Sequence, residues 1–175
     1  PDALKTKEER MEFSSGRKKE DLTQNILSAN KLENYLAESR GNTPKFWKAT
    51  ADTIAYHESG PWQRMDPKAI QRSKNKDTNE IFQGPGEGLF QIETDRAGGS
   101  NSFLKFKNRY ANIAEALDMD ADPEIMNAKR PIDLPAEKQY ALFYSNLSGS
   151  PNVKLKDYVD GKLSLEDLWL KGHKI

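Results

Sequence analysis

The sequence predicts a mainly α domain interrupted by one small irregular or β-hairpin segment. Apolar residues recur at three-to-four spacing through Leu22–Leu36, Phe46–Ala55, Phe103–Leu117 and Tyr140–Leu147, the period of a helix with one buried face. Helix-start signals punctuate these stretches: Thr43-Pro44, Asp122-Pro123, and Asp133 with Pro135. Between Pro61 and Gly88 the sequence shows no clean strand or helix period.

At 175 residues the chain suits one domain and can bury about 70% of the surface its unfolded form exposes. Hydrophobic residues make up 35% and charged residues 31%, a polar balance. Three Trp, six Tyr and seven Phe are nevertheless too many for a disordered chain. A thin core with wide solvated faces is expected. The 27 basic and 27 acidic residues cancel, so no global field draws the chain to nucleic acid or to an anionic membrane. The lack of cysteine excludes disulfides and thiolate metal sites and leaves the redox compartment open. No apolar run approaches the ~20 residues of a membrane span, and the first residues lack the apolar core of a signal peptide. A start at Pro1 and an end at Lys174-Ile175 make a processed product, or a domain of a longer protein, the expectation.

Residues 1–20 are dense in mixed charge and read as a solvated arm, leaving 21–175 as the folded domain. From Asp21, Leu22, Ile26, Leu27, Leu32, Tyr35 and Leu36 mark one face of a two-part helix reaching Gly41. Thr43 caps a second helix with Pro44 at its first position, where a missing N–H costs nothing. Its stripe of Trp47, Ala51 and Ile54 ends in Glu58, four residues after Ile54 and on the same face. Gly60-Pro61 is expected to stop it there. Gln71–Glu80 reads as a mobile polar loop, with short strands at Glu80–Gln83 and Gly88–Ile92. After Gly98-Gly99, Ser100 or Asn101 caps a helix whose apolar face includes Phe103, Leu104, Phe106, Tyr110, Ile113, Ala114 and Leu117. A short helix follows Asp122-Pro123, and another carries Tyr140, Ala141, Phe143, Tyr144 and Leu147 up to Gly149. Asn152–Tyr158 is a further short helix. Ser164-Leu-Glu-Asp167 has the form of a capping box opening a last helix with Leu168, Trp169 and Leu170.

Several kinds of chemistry can be set aside from the residues. His57-Glu58 lacks a second histidine four positions on, where Pro61 stands, so a helical zinc site fails. Gly84-x-Gly86-x-Gly88 has neither the Lys-Ser/Thr of a phosphate loop nor a βαβ setting. Ser59 lacks the glycine pattern of a nucleophile elbow. Glu58 is the informative carboxyl. At the end of an apolar face beside Trp62 it would be partly desolvated, which disfavours a charged form, and a protonated carboxyl is what a glycosidic oxygen needs as it leaves. The alternative is a helix-terminal Glu in a salt bridge.

The order Glu58-Ser59-Gly60, then about thirty residues later Gly86-Glu87-Gly88-Leu89-Phe90-Gln91-Ile92, resembles the lysozyme-like lytic transglycosylase family, the group of soluble lytic transglycosylases and goose-type lysozymes. The match is confined to residues 57–93. It implies a lysozyme-like α domain with the β-hairpin or irregular segment at its cleft. It further implies Glu58 as acid/base, Ser59 as a hydroxyl beside the substrate, and Gly88, Leu89, Phe90 and Gln91 as cleft floor, Gln91 contacting sugar. Glycine suits such a floor because backbone approaches a saccharide closely only where no Cβ intervenes. Trp62 and Phe90 either face pyranose rings or pack in the core. The family's late Tyr-Asn-Ala-Gly is met only in part by Tyr144-Ser145-Asn146-Leu147, leaving Tyr144 between substrate contact and core.

The function implied is cleavage of the β-1,4 bond between N-acetylmuramic acid and N-acetylglucosamine in peptidoglycan by one carboxyl, giving 1,6-anhydromuramyl products. No metal or cofactor is expected. The alternatives are a hydrolytic muramidase, with Glu87, Glu93, Asp95 or Asp66 as second carboxylate, and a glycan-binding or structural module of a phage particle. The last third, through Asp167-Leu-Trp169 to His173, resembles lysozyme-like domains of phage virion proteins. It implies action on the bacterial cell wall, in the periplasm or outside the cell. Delivery within a virion is expected, as are contacts to other virion proteins through a longer parent chain, with no nucleic-acid partner.

Overall fold

The computed structural model describes residues 25–149 and 152–171. The charged stretch 1–20, Asp21 and Leu22, and the His173 end lie outside the described residues, as does the side chain of Trp62. The described chain is mostly helical with one small antiparallel sheet.

Helix α1 (Ala29–Arg40) starts where Ser28 Oγ accepts the Lys31 N–H at 3.3 Å. This is the second part of the two-part helix expected from Asp21, whose first residues lie outside the described ones. Leu27 N–H donates to Asp120 O at 2.9 Å and Asp120 N–H to Asn25 O at 2.8 Å, so residues 25–27 are extended and bridge a later segment. Helix α2 (Pro44–Gln63) begins as its signals predict, with Thr43 Oγ1 accepting the Phe46 N–H at 3.1 Å. Trp47, Ala51, Ile54 and Ala55 are buried along it.

Gly60-Pro61 does not stop α2, which runs on to Gln63 with Pro61 inside it. The stop comes at Arg64, whose left-handed φ of 56° lets its N–H reach Gly60 O at 3.1 Å while Met65 N–H reaches Ser59 O at 3.1 Å. Pro61 gives up only the bond that an N–H there would have donated to His57 O, one turn back, and just two helical residues follow it. Gly60 instead makes room for a ring: a Cβ there would sit 2.6 Å from Tyr56 Cδ2.

Helix α3 (Ser102–Ala116) buries Phe103, Phe106, Tyr110 and Ala114, while Leu104, expected on that face, is half exposed. Asn101 precedes it in a left-handed conformation without a side-chain cap bond. Helix α4 (Pro123–Asn127) is capped by Asp122, and α5 (Ala136–Ser148) follows Pro135. Every residue of α5 from Ala141 to Ser148 is buried, since α1 and α3 pack on it from two sides. Its polar members are satisfied internally: Ser145 Oγ donates to Ala141 O at 2.8 Å, Ser148 Oγ to Tyr144 O at 2.9 Å, and Arg109 donates to the Asn146 side chain. Helix α6 (Asn152–Val159) leads through Gly161 to a six-residue π-helical turn (Glu166–Lys171), where Ser164 Oγ accepts the Asp167 N–H at 3.0 Å.

The sheet is the larger departure from expectation. Strands β1 (Ile70–Lys74), β2 (Ile81–Glu87) and β3 (Ile92–Glu93) pair antiparallel in that order. Residues 71–74, expected in a mobile loop, pair with β2 in the register Arg72 with Gln83, Ser73 with Phe82 and Lys74 with Ile81. Between Ile70 and Arg72 the register slips by a bulge. There Gln71 Oε1, rather than a carbonyl, accepts the Gly86 N–H at 2.9 Å. The turn at 75–79 is closed by Asn75, whose Oδ1 accepts the N–H groups of Asp77 at 2.8 Å and Thr78 at 3.2 Å. Gly88 to Gln91, expected as strand, are instead the turn joining β2 to β3, with φ of 77° at Gly88 and 50° at Gln91.

Candidate functional site

Glu58 sits in the penultimate turn of α2, half-buried, and its Oε1 accepts a hydrogen bond from Trp169 Nε1 at 3.1 Å. Trp169 comes from the π-helical turn, is 3% exposed, and lies edge-on to Phe143 of α5 with ring centroids 5.2 Å apart. The same indole borders a pocket of about 240 Å³ whose polar wall is Gln91, Glu93, Ser100, Ser102 and Lys105. Trp169 therefore touches both halves of the sequence motif, the acid on α2 and the residues around the β2–β3 turn. Nothing in the spacing of the chain marked it for this, and only its place in an amphipathic last turn was legible.

The remaining motif residues divide by burial. Ser59 is 1% exposed and its Oγ donates to Ala55 O at 3.0 Å, so the hydroxyl turns into its own helix. Leu89 and Phe90 are core residues, each 3% exposed. The Phe90 ring stacks on Phe143 at 4.5 Å and meets Tyr140 edge-on at 5.1 Å, so it packs in the core, and it also lines the pocket beside Trp169. Gln91 is half-buried and its Nε2 donates to Gly88 O at 2.8 Å, which pins the amide over the turn. Gly88 is buried, and the space its missing side chain leaves is filled by Gln139 of α5. Gln139 Oε1 accepts the Leu89 N–H at 2.8 Å, while its Nε2 reaches Pro67 O at 2.8 Å, Leu134 O at 2.8 Å and Pro131 O at 3.1 Å.

The candidate second carboxylates also separate. Glu87 is fully buried and held by two guanidinium groups: Arg96 Nε donates at 2.9 Å, and Arg130 donates through Nε at 3.0 Å and Nη2 at 2.9 Å. Hydrogen bonding to Glu87 holds the Arg130 guanidinium above its ordinary pKa. Such a carboxylate joins β2 to the chain before α5 rather than facing a solvent cleft. Glu93 is half-buried in the pocket wall, and its Oε1 accepts the Ser100 N–H at 3.0 Å. Asp95 is exposed and makes no side-chain cap bond, and Asp66 is exposed with Oδ1 accepting the Lys68 N–H at 2.9 Å.

Tyr144 is completely buried and its hydroxyl donates to Glu33 Oε2 at 2.9 Å. Burial, and then the Glu33 charge, push its pKa up. Tyr140, one turn earlier, donates to Asp52 Oδ1 at 2.7 Å, and its pKa rises for the same two kinds of reason. These tyrosines stand by a second, larger pocket of about 460 Å³ between α1, α2 and α5, whose lining includes Glu33, Lys48, Glu137 and Tyr140 but not Glu58. Tyr144 is thus committed to Glu33. Glu58 lines neither pocket, and the smaller one is linked to it through Trp169, which lines that pocket and donates to the acid. Among the described residues no group of three or more His, Asp or Glu side chains is gathered as a metal site, and no helix is long and apolar enough to cross a membrane. No family model, no curated protein and no solved structure matches this chain.

Proposed function

We propose that this chain is a lysozyme-like domain that cleaves the N-acetylmuramic acid–β-1,4–N-acetylglucosamine bond of peptidoglycan as a lytic transglycosylase, with Glu58 as single acid/base. The observation that carries the reading is the Trp169 indole, which donates to the Glu58 carboxyl and borders the pocket lined by Gln91 and Glu93. An acid next to a pocket walled by an amide is an arrangement that can protonate a bound glycan. Glu58 gives its proton to the leaving 4-oxygen as the bond to C1 breaks, and the substrate's N-acetyl oxygen supports the cation. The 6-hydroxyl then attacks C1 and Glu58 takes back its proton, closing the 1,6-anhydro ring without consuming water. No metal or cofactor enters. The wall of a bacterium, reached from the periplasm or from outside as part of a phage particle, is the site of action.

A hydrolytic muramidase is the second reading, and Glu93 is the observation favouring it, because this carboxylate lines the pocket beside Trp169. Glu87, with both oxygens engaged by arginines, is left to a structural role. Glu58→Gln tests the shared premise: lysis of purified cell walls disappears while the folded far-UV spectrum is kept, and wild-type lysis by that variant refutes it. Product masses separate the two reactions, since an anhydromuramyl end is lighter by one water than a hydrolysed reducing end.

A further inference from the structure

The bond between Trp169 and Glu58 has a chemical consequence. The indole N–H donated to the Glu58 carboxyl fills an acceptor that a substrate would approach. We propose that Trp169 is a removable cover on Glu58, and that a glycan reaches the carboxyl only when the turn 166–171 swings away. The proposal rests on the glycosidic reading above.

The turn 166–171 is joined to α6 through Gly161, which has a φ of 77° and no atom within 4 Å of where a Cβ would stand, and the joint itself is held by backbone bonds from Gly161 N–H to Tyr158 O at 3.1 Å and from the Lys162 and Leu163 N–H groups to Asp157 O at 2.8 and 3.1 Å. The turn is wound as a π-helix, a rare form that frequently accompanies functional sites. Its buried anchors among the described side chains are Leu168 and Trp169, at 1% and 3% exposure. The vacated indole site lies against Phe143 and opens the pocket wall toward Glu58. Trp169 is a positioning residue in this scheme and takes no part in proton transfer.

The test uses 5-fluorotryptophan in the Glu58→Gln chain, whose amide keeps the Oε1 acceptor and does not turn over. The chain has three Trp, and Trp169→Phe identifies the resonance of interest. As a soluble chitooligosaccharide saturates the protein, that resonance alone gains the solvent isotope shift of an exposed indole. If calorimetry shows the oligosaccharide bound while Trp169 stays shielded, the cover is overturned and the glycan site stands. If nothing binds, both fall. In the active chain, Trp169→Phe keeps a ring on Phe143 but loses the donor. The open state is then more populated, and KM falls about tenfold with kcat within about twofold. An unchanged KM with a large fall in kcat overturns the proposal.

Discussion

Replacing Gln139 by Leu should cost more than any surface feature of the site. Gln139 is fully buried and holds four hydrogen bonds, one from the Leu89 N–H and three to the carbonyls of Pro67, Pro131 and Leu134. Leucine fills much of the volume but takes none of those bonds. The Leu89 N–H is left buried without its acceptor, which costs about 1–3 kcal/mol, and the three carbonyls lose a donor they shared. The total is about 3–4 kcal/mol, a large share of the ~5–15 kcal/mol that holds a domain together. For a chain of this size it lowers the melting temperature by roughly 10 °C. Gly88→Ala reaches the same clamp from the other side. Its φ of 77° is costly for a residue with a Cβ, and that Cβ would stand 2.9 Å from Gln139 Cδ, forcing the amide out of place. Urea melts of the two variants and of the double variant measure the coupling. Because both disable one clamp, the double variant should fall short of the sum by more than about 1 kcal/mol. Strict additivity, or a Gln139→Leu loss under about 1 kcal/mol, would refute the reasoning.

Two further outcomes follow from buried groups. Glu87→Gln leaves the partly exposed Arg96 and Arg130 facing a neutral amide in place of a buried carboxylate, so stability should drop by about 1–3 kcal/mol in denaturant melts, with lysis per folded molecule kept; lost lysis in a stable variant would return Glu87 to the chemistry. Tyr110 donates to Leu27 O at 2.7 Å and accepts the Asp122 N–H at 2.9 Å, and burial pushes its pKa up to about 12. Tyr140, Tyr144 and Tyr158 are raised as well, by burial first. A phenol whose folded pKa lies above its unfolded value contributes stability that is whole below pH ~10 and is lost as pH rises through the folded value. Alkaline unfolding should therefore set in above pH ~10, with these phenolates appearing as the fold melts; phenolate absorbance from all four in a still-folded chain would contradict it.

Helices were legible where their ends are made by local chemistry. Thr43-Pro44, Asp122-Pro123 and the Ser164 cap each work through a bond spanning a few residues, so the pattern and the contact coincide. What escaped depends on partners far along the chain. Strand β1 carries Gln71, Arg72, Ser73 and Lys74 with no alternation to read, because the hairpin it forms leaves Ile81 and Phe82 of β2 exposed as well, at 68% and 50%. The burial of Ser145 and Asn146 follows from α1 and α3 flanking α5 on both sides, which no single-helix period encodes. Trp169 and Glu58 are separated by more than a hundred positions, and each alone reads as a residue on an amphipathic turn.

The glycines show how a correct location can carry the wrong physical reason. Gly84 and Gly86 lie two apart on β2, so the space their missing side chains leave opens on one face. That space is already taken. A Cβ at Gly84 would stand 2.7 Å from Gln71 Cδ, and one at Gly86 would stand 3.0 Å from Gln71 Oε1. Gly88 gives its room to Gln139 in the same way. The bare backbone is therefore spent inside the protein, fastening β1 and α5 to the turn, and a saccharide cannot lie along it. Leu89 is turned into the core, while Phe90, Gln91, Ile92 and Glu93 line the pocket, and of these only Gln91 and Glu93 bring polar side chains to it. A glycan approaching Glu58 must then run past the amide and the indole rather than across the glycines, so contact along it is made by side chains. Side chains can be drawn back where a backbone floor cannot, and Trp169, which donates to the acid, is such a side chain.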